Sequence, residues 1–270
     1  MAELARLSLN QATTQNWGMR ETIEACARAG VDWIGPWRHK VAEIGVAPTA
    51  ALLREHGLRV SSLCRGGFFP APTATERAQR VDDNRRAIDE AVTLGADVLV
   101  LVCGPAPDRD LAVAREMVFE GIAAVLPYAA ERRIRLAIEP LHPMYAADRS
   151  VVVTLRQAND MAERLDSQWV GVAVVVYHVW WDPEVEAQIA RAAGRILGFH
   201  VSDWLVPPPD HLLGRGYMGD GVIDIRRLRA CVEAAGYTGP VEVEIFNQQI
   251  WDTPGEQVLA EVSRRFVEFV

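Results

Sequence analysis

The sequence lacks the cysteine spacing that a disulfide framework or a structural zinc site requires. Its four cysteines, Cys26, Cys64, Cys103 and Cys231, are scattered, and no C-x-x-C pair occurs. Buried free thiols in a reducing compartment are the expectation. Long apolar runs are also missing: nothing approaches the ~18 consecutive apolar residues of a membrane helix. The start, MAELARLSLN, has no apolar core behind a basic segment, as a signal peptide would. A soluble, cytoplasmic protein without a membrane partner is expected. Positive charge is in short supply too. Lys and Arg number 28 against 36 Asp and Glu, a net charge of −8. A nucleic-acid partner, which calls for a basic stripe, is therefore disfavoured. Finally, no G-x-G-x-x-G follows the first apolar run, where Leu9-Asn10-Gln11-Ala12 stands instead. That weakens a dinucleotide-binding reading.

What the chain does have is alternation. Eight short apolar runs are separated by longer amphipathic stretches. The runs are Leu7–Asn10, Val31–Gly35, Leu58–Leu63, Asp97–Cys103, Ile134–Glu139, Val170–Val176, Ile196–Val201 and Val241–Phe246. Helical patterns fall at Met19–Ala29, Thr49–His56, Thr75–Leu94, Leu111–Arg133, Thr154–Leu165, Pro183–Ala193, Ile225–Ala235 and Glu256–Phe269. Gly30, Gly57 and Gly95 stop three of them. Trp204–Gly221 has no regular pattern. Runs such as LVLVC are apolar on both faces, as in a parallel sheet covered by helices. Strict strand–helix alternation over eight units, in 270 residues, predicts an α/β fold: one (β/α)₈ TIM barrel occupying residues 1–270 as a single domain. An open doubly wound sheet is the competing architecture.

Active sites of such barrels lie at the C-terminal ends of the strands. The polar residues there are Asn10 and Gln11 after run one, Trp37, Arg38 and His39 near run two, and Cys64 and Arg65 after run three. Glu139 ends run five, with His142 close behind. Tyr177 and His178 follow run six. His200 ends run seven, with Asp203 beyond it, and run eight carries Glu242, Glu244 and Asn247. A carboxylate closing an apolar strand is costly to bury unpaired. Glu139, His200 and Glu244 are thus expected to converge at the barrel mouth, where oxygen and imidazole donors suit a divalent cation. Taken singly, each is as well explained by an ion pair or a satisfied core histidine. Glu242 shares the Glu244 face by strand periodicity and is expected to lie deeper, in a core ion pair. His56 is expected on a helix surface, and His39 and His211 in loops.

The segments Ala137-Ile138-Glu139-Pro140-Leu141-His142-Pro143, Tyr177-His178-Val179-Trp180-Trp181-Asp182-Pro183, Phe199-His200-Val201-Ser202-Asp203 and Glu242-Val243-Glu244-Ile245-Phe246 together resemble the sugar phosphate isomerase/epimerase family. This is the xylose isomerase-like TIM barrel superfamily, with ketose 3-epimerases, inosose-processing enzymes and endonuclease IV among its members. The resemblance spans nearly the whole chain. It implies a metal set of Glu, Asp, His and Glu, which falls here on Glu139, Val175, His200 and Glu244. Valine cannot ligate. A divalent ion, Mn²⁺ first and Mg²⁺, Co²⁺ or Zn²⁺ as alternatives, is therefore expected to be weakly held or absent, with Asp203 or water as a substitute donor. The resemblance further implies Glu139 and Glu244 as proton-transferring bases on an enediolate. His142, His178 and Arg215 would bind substrate hydroxyls, with Trp180, Trp181 and Phe246 as apolar walls. A metal-assisted isomerase or epimerase of a sugar, ketose or polyol is the first functional expectation. A lyase of 3-oxo-glycosides, like the C-glycoside deglycosidases, is the second, and a non-catalytic sugar-binding barrel the third. The partner is a small carbohydrate; homo- or hetero-oligomers are both compatible with the sequence.

Overall fold

In a computed structural model describing residues 4–270, the apolar runs form one parallel sheet wrapped by helices. The strands are β1 (Leu7–Asn10), β2 (Trp33–Gly35), β3 (Arg59–Val60), β4 (Leu63–Gly67), β5 (Val98–Val102), β6 (Arg135–Glu139), β7 (Val170–Val175), β8 (Ile196–Val201), β9 (Asp203–Trp204), β10 (Arg215–Gly216) and β11 (Val241–Val243). The helices are α1 (Met19–Ala29), α2 (Arg38–Ile44), α3 (Val46–His56), α4 (Ala74–Leu94), α5 (Leu111–Arg132), α6 (Leu155–Leu165), α7 (Val176–Val179), α8 (Val185–Arg191), α9 (Ile225–Ala234), α10 (Gln248–Trp251) and α11 (Gly255–Phe269).

The sheet order is β3-β2-β1-β11-β8-β7-β6-β5-β4, every pair parallel. β3 and β4 are consecutive pieces of one pass of the chain, so nine segments occupy eight positions. The ring closes through that pass, helped by a Trp37–Cys64 bridge and the Cys64 N–H bonded to Pro36 O at 3.0 Å.

Side-chain period explains the layering. Leu99 and Leu101 join the large core between strands and helices, whereas Val98 turns inward. Inside the ring, Val98, Ala137 and Ala173 pack with Leu197 as a plug, and Val102, Leu141 and Tyr145 form an upper layer. The helices start where the chemistry favours it: Thr73 makes a reciprocal capping box with Glu76, and Asp110, Thr154 and Asp224 accept first-turn N–H groups. Gly30 and Gly95 end α1 and α4 at φ +70° and +74°, the left-handed conformation that glycine adopts without a Cβ penalty.

Several boundaries differ from the sequence expectation. The third run breaks at Ser61-Ser62, whose hydroxyls turn to Ser8, Ile34 O and Glu242, and then continues to Gly67. A short polar helix, α2, carries His39, which was expected in a loop. The eighth strand stops at Val243, although the Glu244 N–H still bonds Val201 O at 3.0 Å and Thr13 Oγ1 accepts from the Ile245 N–H. The segment 204–221 is tied by a small antiparallel pairing of β9 with β10. All four cysteines are free; Cys26, Cys64 and Cys103 are buried, and Cys231 is half-buried. Among the described residues no helix is long and apolar enough to cross a membrane.

Candidate active site

Glu139 ends β6, His178 sits in α7 just after β7, His200 lies near the end of β8, and Glu244 follows β11. Parallel strands deliver all four to the same end of the ring, and each is buried. Arg215 reaches them from β10, on the segment after β8. Its Nη1 stands 2.8 Å from Glu244 Oε2 and donates also to Glu244 O at 3.2 Å. Its Nη2 lies 3.3 Å from His178 Nε2, and that same ring nitrogen is 3.7 Å from Glu139 Oε1. The guanidinium is flanked by the rings of Tyr177 at 4.7 Å and Phe246 at 4.6 Å, which fix its plane.

Beneath this group, Glu242 and His200 form an inner pair. Glu242 accepts from Asn10 Nδ2 at 3.0 Å and Ser62 Oγ at 2.6 Å, and its Oε1 is 3.5 Å from His200 Nε2. The other ring nitrogen, Nδ1, is 3.9 Å from Glu244 Oε2. Among the described residues neither ring nitrogen of His200 has a hydrogen-bond partner, so the attraction is one of charge rather than of well-formed hydrogen bonds. Glu242 thus lies where the strand period puts it, deeper than Glu244.

These surroundings separate the proton affinities of the two mouth carboxylates. Burial, then the charge of Glu244, push Glu139 up to about 8, outweighing the attraction of His200 and Arg215. Glu244 is also penalised by burial, but Arg215 and His200 overcome that and hold it down at about 2. Burial alone would lower His200; Glu242 and Glu244 reverse this and raise it to about 9. His178 is lowered well below the ordinary imidazole value by burial and by Arg215, so it is neutral. Cys64 faces the same cleft, yet burial raises its thiol well above the usual range, which leaves no thiolate nucleophile.

The cleft over this cluster encloses about 140 Å³. Of the residues singled out from sequence, Glu139, His178, Arg215, Glu244 and Phe246 line it. His142 and Trp181 do not: they pack edge to face at 5.6 Å, His142 lies 5.0 Å from Trp204, and Trp181 Nε1 is spent on His178 O. Trp180 likewise packs on Trp204. Sequence reasoning missed Tyr145, Arg149, Phe68 and Leu212, which enter the cleft from loops. No strand-end signal marks such residues.

The expected metal set does not fit. Among the described residues no three His, Cys, Asp or Glu side chains come together to hold an ion. Val175, paired in register with His200, offers no donor atom, and Glu244 Oε2 is engaged by Arg215. Asp203 is no substitute. Its two carboxylate oxygens accept the N–H groups of Trp204, Gly219, Gly221 and Ile223, so it clamps the segment that carries Arg215.

The fold and the strand-end cluster define a class, and residues 23–268 match the family of the xylose isomerase-like TIM barrel. The chain belongs to that family. It is 51% identical to protein SMc04130 from Sinorhizobium meliloti 1021, with 98% of each chain covered and a TM-score of 0.97. L-ribulose-5-phosphate 3-epimerase UlaE of Escherichia coli O157:H7 is 24% identical over 216 residues, 78% of this chain and 71% of the relative. The IOLI protein, solved with a binding zinc atom, shares the fold at a TM-score of 0.87 with 18% identity and 98% of each chain covered.

Proposed function

We propose that this chain interconverts isomers or epimers of a small ketose-like sugar by moving a proton on and off a carbon next to a carbonyl. The observation that carries this reading is the unequal setting of two buried carboxyls in one cleft: Glu244 is held by Arg215 at 2.8 Å, whereas Glu139 has His178 Nε2 beside it at 3.7 Å, which favours an ionised Glu244 and a protonated Glu139. Such divergence is the pattern of an acid and a base with separate tasks. Glu244, as the carboxylate, would take the proton from carbon. Glu139, carrying a proton, would deliver one to the resulting enediolate. The two come from strands three positions apart in the ring, and so approach a substrate from different sides. Returning the proton to the opposite face of the same carbon gives an epimer; returning it to the neighbouring carbon gives the aldose–ketose isomer. Arg215 would donate hydrogen bonds to the oxygen on which negative charge develops, and neutral His178, whose Nε2 faces the guanidinium as an acceptor at 3.3 Å, would hold it in place.

The similarity to a sugar 3-epimerase supports the reaction class. The divalent ion implied by the family pattern is not carried over, because the donors present do not form its site. The test is incubation of the protein in D₂O with a panel of ketoses, followed by NMR. Deuterium at the carbon beside the carbonyl, with an isomeric product, is the expected result. An unlabelled, unchanged panel would overturn the reading.

A further inference from the structure

One buried carboxyl of the cluster has no part in the proton transfer. Glu242 lies beneath the cleft and is firmly fixed there. Ser62 Oγ donates to its Oε1 at 2.6 Å and Asn10 Nδ2 to its Oε2 at 3.0 Å. Asn10 is held in turn, its Oδ1 accepting from Trp37 Nε1 at 2.8 Å and from the Ala12 N–H at 3.0 Å. Gly35 supplies the space, since a Cβ at that position would run into Glu242 Oε2. A buried carboxylate is costly even when donors meet it, so the group it faces is informative.

That group is His200. Glu242 stands in register with it across the pairing of β8 with β11, and Val175 does so across the pairing of β7 with β8. The imidazole thus has an apolar neighbour on one strand and a carboxylate on the other. Its Nε2 is 3.5 Å from Glu242 Oε1, and its Nδ1 is 3.9 Å from Glu244 Oε2. All three side chains are buried, and among the described residues neither ring nitrogen has a hydrogen-bond partner. The two carboxylates therefore decide how the ring is turned. The group at one imidazole nitrogen sets what the other presents, and a buried carboxylate can hold an imidazole toward a reacting group in this way. Gaps of this length tighten when a bound reactant draws the groups together.

We propose that Glu242 is a positioning residue for the proton transfer: acting through His200, it steadies the Glu244 carboxylate from beneath, while Arg215 holds that carboxylate directly. The hold of Glu242 on His200 stands on the geometry alone; its use at Glu244 rests on the proton-transfer reading.

The test joins a spectroscopic signature to a mutant cycle on the full chain. With ¹⁵N-labelled histidine, Glu242→Gln shifts the ring-nitrogen resonances of His200 and leaves those of the surface residue His56 in place. Ser62→Ala, which only loosens Glu242, shifts the same resonances less and serves if the Gln variant does not fold. In ketose exchange, Glu242→Gln lowers kcat about tenfold or more with KM little changed. In a His200→Asn background the same substitution costs nothing further, because its route to Glu244 is already cut. Unmoved His200 resonances, fully additive losses in the double variant, or a raised KM with kcat intact overturn the proposal. Exchange in no ketose by the unaltered chain sinks the proton-transfer reading and the role at Glu244 with it, and the His200 resonances still decide whether Glu242 sets the ring.

Discussion

Arg215 holds the Glu244 carboxylate at 2.8 Å with one terminal nitrogen and stands 3.3 Å from His178 Nε2 with the other. That bridge keeps Glu244 ionised inside a buried cluster. Arg215→Gln removes the charge and leaves Glu244 beside Glu139 and Glu242. The Glu244 proton affinity then rises, and the acid limb of the pH–rate profile moves up. The turnover rate is expected to fall about 10²–10³-fold, the size of effect seen when one donor to a developing oxyanion is removed. A profile with its acid limb in place would show that Arg215 does not set the state of Glu244.

Asp203 fixes Arg215 from a distance. Its carboxylate receives four backbone N–H groups, from Trp204, Gly219, Gly221 and Ile223, at 2.8–3.0 Å. Asp203→Asn removes the charge and turns one oxygen into a donor facing N–H groups. A stability loss of about 2–3 kcal/mol is expected. Hydrogen exchange should show the amides of Gly219 and Gly221 opening more readily, while those of β5 and β6 stay protected. Uniform loss of protection would argue against a local clamp.

Stability should have an optimum on the acid side of neutrality. Glu139 and His200 have folded-state values above their ordinary ones, about 8 and about 9. Their contribution is complete below the unfolded values and is lost as pH rises through those folded values. Glu244 is depressed to about 2; its contribution is complete above its unfolded value and is lost as pH falls toward 2. Melting temperatures measured from pH 3 to pH 10 should therefore peak near pH 4.5, the ordinary carboxylate value at which the Glu139 and Glu244 contributions are both nearly complete, and fall progressively toward pH 9. A plateau reaching pH 9 would contradict the charge assignment.

Val175 is the position where the family pattern places a carboxylate donor. Val175→Asp puts one beside its register partner His200. With Mn²⁺ at about 100 times its dissociation constant, the variant should gain about 5–10 °C in melting temperature. The unaltered chain should gain none. An equal gain in the unaltered chain would mean that Glu139, His200 and Glu244 hold an ion unaided.

Strand ends were readable because burial writes itself into sequence. LVLVC and RLAIE advertise β5 and β6, and a carboxylate closing such a run stands out, as Glu139 does. Glu242 and Glu244 fell on one face by strand period alone. The misreadings share a cause. RHKVAEI, forming α2, is short and polar and is held by tertiary contacts, among them the ion pairs of Arg38 with Glu90 and Asp83. The Ser61-Ser62 kink looks like a strand interior until Ser8 and Glu242 are there to accept it. His142 and Trp181 sit in a recognisable motif, and in the structure they pack edge to face on each other at 5.6 Å.

Proton transfer at Glu244 is most directly tested by deuterium wash-in from solvent into a bound ketose, with Glu244→Gln compared against the unaltered chain. Wash-in is expected to drop to background in the variant while the ligand still binds. Label entering at an undiminished rate would contradict it, and the base would have to be sought elsewhere in the cleft.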